Sequence, residues 1–450
     1  MKKLLIKNAE IVNEGELFTG SVLISGEEIE TVYRGYNNLP ETRDIETIDA
    51  GGKLLFPGII DDQVHFREPG LRHKGDIYTE SRAAAAGGVT SYMEMPNTIP
   101  QTITASALAN KIAIAAACSP VNFSFYFGAT NDNIEEIKAI NPEEVCGLKV
   151  FMGSSTGNML VDNEESLRKI FQSSPVLVTC HCEDEKTIKN NLRAYIEEYG
   201  EDIPIKYHPL IRSREACFLS SSYAVRLARE YGTRLHILHI STAEELELFD
   251  NTLPLKDKKI TAEVCIHHLW FDESDYSERG NFIKWNPAIK KSEDRQALVE
   301  GVISNKIDIV ATDHAPHTLE EKQNIYTKAS SGGPMVQHSL TAMLELWHQG
   351  LIGLEKIVEK MCHNPAILFG IENRGFIRES YKADLCLVDP ENKWTVSDEN
   401  ILYKCGWSPF EGISFNSKVI RTIVNGNTVW DGEKIYDSQP GQSLKFRRLL

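Results

Sequence analysis

Residues 59–70, IIDDQVHFREPG, join an apolar run to a dense cluster of polar side chains. The two isoleucines are typical of a buried strand, and the Pro-Gly pair is typical of a turn. Between them stand two aspartates, His65 and Arg67, side chains that bind metal ions or anions. Gln63 lies two positions before His65, where a second histidine would complete a pair of imidazole ligands. The segment therefore predicts a strand that ends at a functional site.

Seven more apolar, β-branched runs follow this one along the chain. Helical stretches separate several of them, for instance 105–118, 215–232 and 292–303. Eight strands alternating with helices over about 300 residues predict an α/β fold, a (β/α)8 TIM-like barrel, whose active site lies where the strands end. The eight runs are LLFPGIIDD, GVTSYMEMP, VNFSFYFGAT, VCGLKVFMG, PVLVTCHC, RLHILHIS, KITAEVCIHHLWF and IDIVATDHAPH.

Both ends of the chain have a different pattern from the middle. Short alternating runs separated by Gly-rich turns occupy the first fifty or so and the last seventy or so residues, as in short β-strands. We expect residues 1–55 plus 376–450 to form one small β-sandwich domain built from both termini. Residues 56–375 would then form the metal-dependent barrel domain that carries catalysis.

The composition excludes several classes of function. The chain has 48 Lys and Arg residues against 64 Asp and Glu residues, a net charge of −16. This acidic balance argues against nucleic acid or an anionic membrane as a partner. No run approaches the ~20 apolar residues of a membrane span. The N-terminus is a better first strand than a signal peptide. Cys 9, an odd number without regular spacing, indicates reduced thiols and a cytoplasmic location.

Five residues with metal-ligating chemistry stand at the ends of the predicted strands. A single buried histidine is more often a core residue than a ligand, but five such residues at one end of a barrel indicate a metal centre. Imidazole and carboxylate ligands favour Zn2+ over Mg2+ or Ca2+. The five are His65, Lys149, His181, His239 and Asp313.

Lys149 lies within the apolar run GLKVFMG. Burial favours the neutral form of an amine, and a neutral amine beside metal ions can react with CO2 to form a carbamate. The simpler interpretation is an ion pair between Lys149 and a nearby acid. Asp313, at the end of the last strand, is suitably placed to take a proton from a metal-activated water and return it to a leaving nitrogen.

Seven motifs together resemble the amidohydrolase superfamily, in its cyclic amidohydrolase branch, and within it the dihydroorotase family. The resemblance covers nearly the whole chain. It implies zinc-dependent, reversible cyclisation of N-carbamoyl-L-aspartate to L-dihydroorotate in pyrimidine biosynthesis. The motifs are FREPG, MPNT, GLKVFMGSSTGN, HCED, LHIST, NPAIK and ATDHAPH.

The resemblance also implies roles for individual residues. Lys149 matches a carboxylated lysine that bridges two metals, His65 and Asp313 match ligands of one metal, and His181 and His239 match ligands of the other. The positions matched to substrate binding are Arg67, Asn97, Asn286, His317, Thr156, Gly332 and Gly333. A homodimer is a further expectation from the resemblance.

Gln63 departs from the family pattern D-x-H-x-H, because it replaces the first histidine. An amide oxygen is a weaker zinc ligand than an imidazole. We therefore expect one or two zinc ions per subunit, with the site of His181 and His239 filling tightly and the other filling weakly. Asp62 would not compensate, since regular alternation directs it to the face opposite Gln63 and His65.

Two alternatives to dihydroorotase activity remain open at this stage. One is a hydantoinase- or allantoinase-like enzyme, whose substrate would have no carboxylate for Arg67 to bind. The other is a catalytically impaired scaffold that partners aspartate transcarbamoylase, which only Gln63 suggests. For Arg67 itself, the simpler interpretation is a surface ion pair with Glu68, and we expect Lys74 to be solvated.

Overall fold

The computed structural model describes residues 2–35, 39–40, 43–153 and 158–447. Its chain begins with five strands of a single sheet, and the long first strand pairs with three of the others. β1 pairs with β4 through its first half and with β5 through its second, and its pairing with β2 shifts register between Ile6 and Ala9. These strands are β1 Lys3–Asn13, β2 Glu16–Ser25, β3 Glu28–Arg34, β4 Glu46–Asp49 and β5 Leu54–Pro57.

The next nine strands form the barrel. One residue separates β8 from β9, so the nine strands occupy eight positions, as the sequence predicts. Two parallel sheets, β6-β7-β8 and β9 to β14 in order, close on each other where the His65 N–H donates to the His314 carbonyl at 2.7 Å. The strands are β6 Ile59–Val64, β7 Val89–Glu94, β8 Asn122–Phe125, β9 Phe127–Gly128, β10 Leu148–Phe151, β11 Val178–His181, β12 Leu235–Ile237, β13 Ile260–Cys265 and β14 Ile309–Ala311.

Helices connect the barrel strands, and α2, α7 and α10 coincide with the three stretches predicted to be helical. Local capping fixes their ends: the Asp76 side chain caps α1, and Gly232 in the left-handed conformation ends α7. Within the described ranges, no helix is long and apolar enough to span a membrane. The helices are α1 Ile77–Ala86, α2 Ala105–Cys118, α3 Ile134–Lys138, α4 Glu164–Ser173, α5 Glu185–Tyr199, α6 His208–Ile211, α7 Arg214–Tyr231, α8 Ile266–Trp270, α9 Tyr276–Arg279, α10 Ser292–Ile303, α11 Leu319–Lys322, α12 Ser339–His348, α13 Leu354–Val358 and α14 Asn364–Phe369.

The chain then returns to the first sheet. Its order is β19-β18-β15-β5-β1-β2-β3, with β4 beside β1, so strands from both ends of the chain share one sheet around their own apolar core. This confirms the predicted class, a TIM-like barrel with a β domain from both termini. The division of the chain at 55/56 and 375/376 stays a prediction. The last strands are β15 Leu385–Asp389, β16 Trp394–Thr395, β17 Ser414–Phe415, β18 Lys418–Val424 and β19 Asn427–Trp430.

Strand β6 is irregular where the predicted site begins. Its pairing with β7 shifts register between Ile59 and Ile60 and again between Asp61 and Val64. The Asp62 side chain consequently lies in the barrel interior, 3.5 Å from His236 on β12, while Gln63 faces the cavity at the barrel mouth. The expectation that alternation directs Asp62 to the opposite face is therefore wrong, because alternation holds only in a regular strand.

A buried ion pair joins the terminal sheet to the barrel. The Arg374 guanidinium donates to the Asp384 carboxylate just before β15, and the same carboxylate accepts from Asn122 on β8 at 3.2 Å. Arg374 also donates to Asn425 between β18 and β19 at 2.9 Å. The side chains of Arg374 and Asp384 are only 6% and 3% exposed. Loss of the guanidinium would leave a carboxylate buried without its counter-charge.

We expect Arg374→Met to lower the free energy of unfolding by about 3–5 kcal/mol, the usual effect of breaking a buried pair from one side. Arg378→Met is the matched control, since Arg378 pairs with Glu14 at the surface and both side chains are 42% exposed. That variant should lose less than about 1 kcal/mol. Urea titration followed by circular dichroism measures both. Equal losses would contradict the account of this contact.

Candidate active site

A cavity of about 470 Å3 opens at the carboxyl ends of the barrel strands. It brings together residues that lie far apart in the sequence, as the barrel prediction requires. Gly333 is adjacent to its lining, and its carbonyl accepts from the Ala315 N–H. Thr156 lies outside the described residues. The predicted site residues that line the cavity are Gln63, His65, Arg67, Asn97, Lys149, His181, His239, Asn286, Asp313, His317 and Gly332.

The first group of polar contacts lies where β6 and β14 meet. His65 Nε2 lies 3.1 Å from Asp313 Oδ1, and the Gln63 amide donates to the same oxygen at 3.1 Å. His65 Nδ1 lies 2.8 Å from Asn97 Oδ1, which only accepts, so Nδ1 carries the proton. Burial lowers the pKa of His65 despite the nearby Asp313. A neutral His65 thus directs a lone pair at a carboxylate, an arrangement that a cation between them stabilises.

The second group belongs to β11 and the segment after β12. His181 Nδ1 lies 2.9 Å from His239 Nε2, while His181 Nε2 donates to Glu183 at 2.8 Å. Burial would raise the pKa of Glu183, but Arg212 and His181 outweigh it and hold that pKa at about 2. Glu183 is therefore an anion that fixes the His181 tautomer. Metal-binding histidines characteristically donate their second ring N–H to a carboxylate in this way.

Burial also keeps these two imidazoles neutral. It lowers the pKa of His181 and lowers that of His239 well below its ordinary value. Neutral imidazole is the form that ligates a metal ion. His239 Nδ1 is buried and has no hydrogen-bond partner among the described residues. His181 and His239 therefore offer the neutral ring nitrogens that a metal ion binds. His65 and Asp313 likewise offer a ring nitrogen and a carboxylate oxygen.

Lys149 on β10 is buried among these groups, only 1% exposed. Burial lowers the pKa of its amine to about 8, and the charge of Asp313 only partly opposes this shift. Its ammonium lies 4.6 Å from the centre of the Phe151 ring. Asp313 acts on Lys149 through its field rather than through a hydrogen bond, which does not support the simpler interpretation of an ion pair. Near pH 8, a large share of this amine is neutral and able to react.

Arg67 is an interior cation rather than a surface one. It is 7% exposed, its Nε donates to the Pro316 carbonyl at 3.1 Å, and its Nη2 lies 3.0 Å from His317 Nε2. Burial lowers its pKa to about 10, so it stays charged at neutral pH. Glu68 pairs instead with Arg72 at 3.0 Å. The alternative of a surface pair between Arg67 and Glu68 is therefore wrong.

The sequence interpretation missed Lys74, Arg212 and Trp285, which also line the cavity. Lys74 was expected to be solvated, but its side chain is only 14% exposed and pairs with Glu321 at 2.9 Å. Its position depends on how the Pro-Gly turn folds back over the barrel, which no local pattern encodes. Arg212 and Trp285 likewise reach the cavity from connections between strands, where spacing gives no indication of direction.

Gly332 supplies backbone to the cavity wall and has a conformation that excludes other residues. Its φ is +121°, and a Cβ there would lie 2.7 Å from the Ala315 carbonyl oxygen. Glycine tolerates both the conformation and the close approach. Asn286, directly before Pro287, also lines the cavity.

Comparison with known proteins identifies relatives along almost the full chain. A family model described as Amidohydrolase family matches residues 54–429. A dihydroorotase of Methanosarcina mazei is 34% identical over 98% of this chain and 97% of that protein. A dihydroorotase of Halobacterium salinarum is 35% identical over 87% and 93%, respectively. The solved structure of an L-hydantoinase (dihydropyrimidinase) from Arthrobacter aurescens has a TM-score of 0.92 at 26% identity, covering 99% of this chain and 100% of that one.

We expect Gln63→His to raise the metal content of the protein by about one equivalent per chain. In the structure, Gln63 binds Asp313 through its amide N–H, whereas an imidazole nitrogen there would be a strong ligand beside His65. Metal content is measured after dialysis against a moderate chelator, with the wild-type chain treated identically. A content equal to that of the wild type would show that Gln63 does not weaken this position.

Proposed function

This chain belongs to the amidohydrolase family, and we propose that it is a dihydroorotase that reversibly cyclises N-carbamoyl-L-aspartate to L-dihydroorotate in pyrimidine biosynthesis. It is a cyclic amidohydrolase, since its relatives at 34% and 35% identity are dihydroorotases and its neighbours in structure are hydantoinases. Dihydroorotate carries a ring amide and, unlike a simple hydantoin, a carboxylate. The proposal rests chiefly on one observation, the buried guanidinium of Arg67 in the cavity.

A buried cation needs an anion to compensate the cost of its desolvation. Arg67 donates to the Pro316 carbonyl and contacts the His317 ring. Both partners are neutral, so neither balances the charge of the guanidinium. A guanidinium binds a carboxylate through two parallel hydrogen bonds. In the proposed complex, Arg67 binds the carboxylate of dihydroorotate, and His317 and Asn97 complete that end of the cavity.

The donor set fits a metal centre of the zinc class. His65 and Asp313 would hold one ion, His181 and His239 the other, and a carbamate on Lys149 would bridge them, with one or two ions per subunit. When bound, the metal lowers the pKa of a water molecule and polarises the ring carbonyl. Two arrangements support the fit: the lone pair of His65 that faces Asp313, and the neutral imidazole pair anchored by Glu183.

Asp313 is the proposed proton carrier. In ring opening it takes the proton of the attacking water and delivers it to the ring nitrogen as the amide bond breaks; in ring closure it runs the same path in reverse. The Gln63 amide donates to Asp313 Oδ1, which holds one oxygen in place. Asn286 and the backbone at Gly332 and Gly333 line the part of the cavity where the ring would lie.

A second candidate is hydantoinase-like activity, favoured by the TM-score of 0.92 to an L-hydantoinase. Asp313, Glu94 and Glu321 act on Arg67 from a distance, but an uncharged ring would supply no carboxylate in hydrogen-bond contact with it, which is why we place dihydroorotase activity first. The impaired-scaffold alternative would predict a disrupted cavity, whereas the predicted residues converge here. A homodimer, a partnership with aspartate transcarbamoylase and a cytoplasmic location stay predictions.

Replacement of Arg67 by Met separates the two activities. Each charge-assisted hydrogen bond contributes about 1.5–3 kcal/mol, so loss of a two-bond contact should lower kcat/KM for dihydroorotate by about a hundredfold or more. Hydrolysis of an uncharged hydantoin should fall much less. Steady-state assays with both substrates measure the ratio, with Arg378→Met as the surface arginine control. Unchanged dihydroorotate hydrolysis in Arg67→Met would reject the proposed role.

A further inference from the structure

Three buried side chains meet in the barrel interior, apart from the ligand pairs of the cavity. Asp62 on β6, His236 on β12 and Glu263 on β13 are each 0% exposed. His236 Nε2 lies 3.5 Å from Asp62 Oδ2 and 3.8 Å from Glu263 Oε2. Strand β6 pairs with neither β12 nor β13, so the contact crosses the interior. We call these three residues the interior triad.

The tautomer of His236 follows from its other ring nitrogen. His236 Nδ1 lies 2.8 Å from Thr261 Oγ1, and that hydroxyl donates its only hydrogen to the Leu235 carbonyl at 3.2 Å. The Thr261 oxygen therefore accepts, and Nδ1 carries the proton. A neutral His236 consequently directs the lone pair of Nε2 at two carboxylates. In this form three acceptors face one another, and only an added proton or cation would satisfy them. Burial raises the pKa of Glu263 to about 8, and the two carboxylates outweigh burial and raise that of His236 to about 9, so the cluster attracts positive charge.

Most polar side-chain atoms of the triad have no hydrogen-bond partner among the described residues. Both oxygens of Asp62, Glu263 Oε2 and His236 Nε2 form no hydrogen bond with any residue in the described ranges. A single buried acceptor left without a partner costs about 1–3 kcal/mol, and a charged one costs more. The other oxygen of Glu263 is engaged, accepting the His239 backbone N–H at 3.0 Å. A positive charge among the three side chains would satisfy all the remaining atoms.

A proton and a metal ion are the two possible sources of that charge, and the distances distinguish them. A charged N–H···O bond is about 2.7–2.9 Å long, shorter than either contact of Nε2. Ligand atoms about 2.0–2.2 Å from a tetrahedral ion lie roughly 3.3–3.6 Å from one another, close to the distances of 3.5 and 3.8 Å from His236 Nε2 to the two carboxylates, and all three ligand atoms lie within 4.8 Å of one another. One divalent ion with two carboxylates and a neutral imidazole also leaves the buried site without net charge.

We propose that Asp62, His236 and Glu263 bind a divalent cation of the Zn2+ class at a structural site in the barrel interior. The ion joins β6 to β12 and β13, strands that no backbone hydrogen bond connects to β6. The hydrogen bond that His236 Nδ1–H donates to Thr261 Oγ1 orients the imidazole, as in established metal sites. Glu263 links the interior triad to the cavity, since it holds the backbone of His239.

Anomalous diffraction from crystals of the full chain grown with zinc tests the proposal without any substitution. The expected result is an anomalous peak, present above the zinc edge and absent below it, between the carboxylates of Asp62 and Glu263 and His236 Nε2. A map with peaks in the cavity and none in the triad would overturn the proposal. That outcome would assign the charge to a proton on His236, because the two carboxylates outweigh the effect of burial and raise its pKa to about 9.

Metal analysis of variants gives a second test. Asp62→Asn keeps the shape of the side chain and removes its charge, so it should lose about one tightly bound zinc per chain relative to its parent. The same loss should appear in a His181→Ala/Asp313→Ala background, in which the cavity ligands are already impaired. A loss of zinc in that background would show that the ion is bound at the interior triad and not by the cavity ligands.

Glu245→Gln is the matched control for charge removal. Glu245 is an equally buried carboxylate, but it accepts from Ser221, Thr242 and the Ser241 N–H, and no ligand-type side chain is among these partners. It should keep the full metal content of the parent. A metal content for Asp62→Asn equal to that of Glu245→Gln would overturn the proposal. If Asp62→Asn does not fold, the anomalous map of the wild-type chain decides.

Discussion

The contact that closes the barrel also assembles the site. The His65 N–H donates to the His314 carbonyl at 2.7 Å and so joins the end of β6 to the end of β14. This backbone contact places the side chains of His65 and Asp313 within 3.1 Å of each other, although 247 residues of sequence lie between them. Without barrel closure, neither the proposed metal ligands nor the proposed proton carrier would have a defined position.

A second constraint is the compensation of charge among the side chains buried inside the closed barrel. Two buried clusters in the described residues bring acceptors together: neutral His65 directs a lone pair at Asp313, and the neutral form of His236 directs one at Asp62 and Glu263. Buried acceptors that face one another in this way are stabilised by positive charge among them, from a proton or from a metal ion. The same argument applied to Arg67, a cation, requires an anion. The proposed metal ions and the proposed anionic substrate would therefore compensate opposite charges in the same interior.

Much of this could be predicted from the sequence, because the barrel repeats a simple pattern. Each apolar run marks a strand, and the polar residue at its end marks the cavity, so His65, Lys149, His181, His239 and Asp313 could be placed together by counting strands. Asp62 could not be placed, since its direction depends on two register shifts in β6 that no periodicity encodes. The prediction that Lys74 is solvated failed for a related reason. Its polarity alone indicated exposure to solvent, but the loop that carries it folds over the cavity.

The most direct test of the account is the rate of dihydroorotate hydrolysis as zinc is added to chelator-stripped protein. We predict that activity rises with zinc and saturates, because the proposed metal ligands and the arginine proposed to bind the substrate line one cavity. Absence of activity at every zinc concentration, in protein that remains folded, would contradict the account. It would mean that replacement of a ligand histidine by Gln63 has inactivated the site.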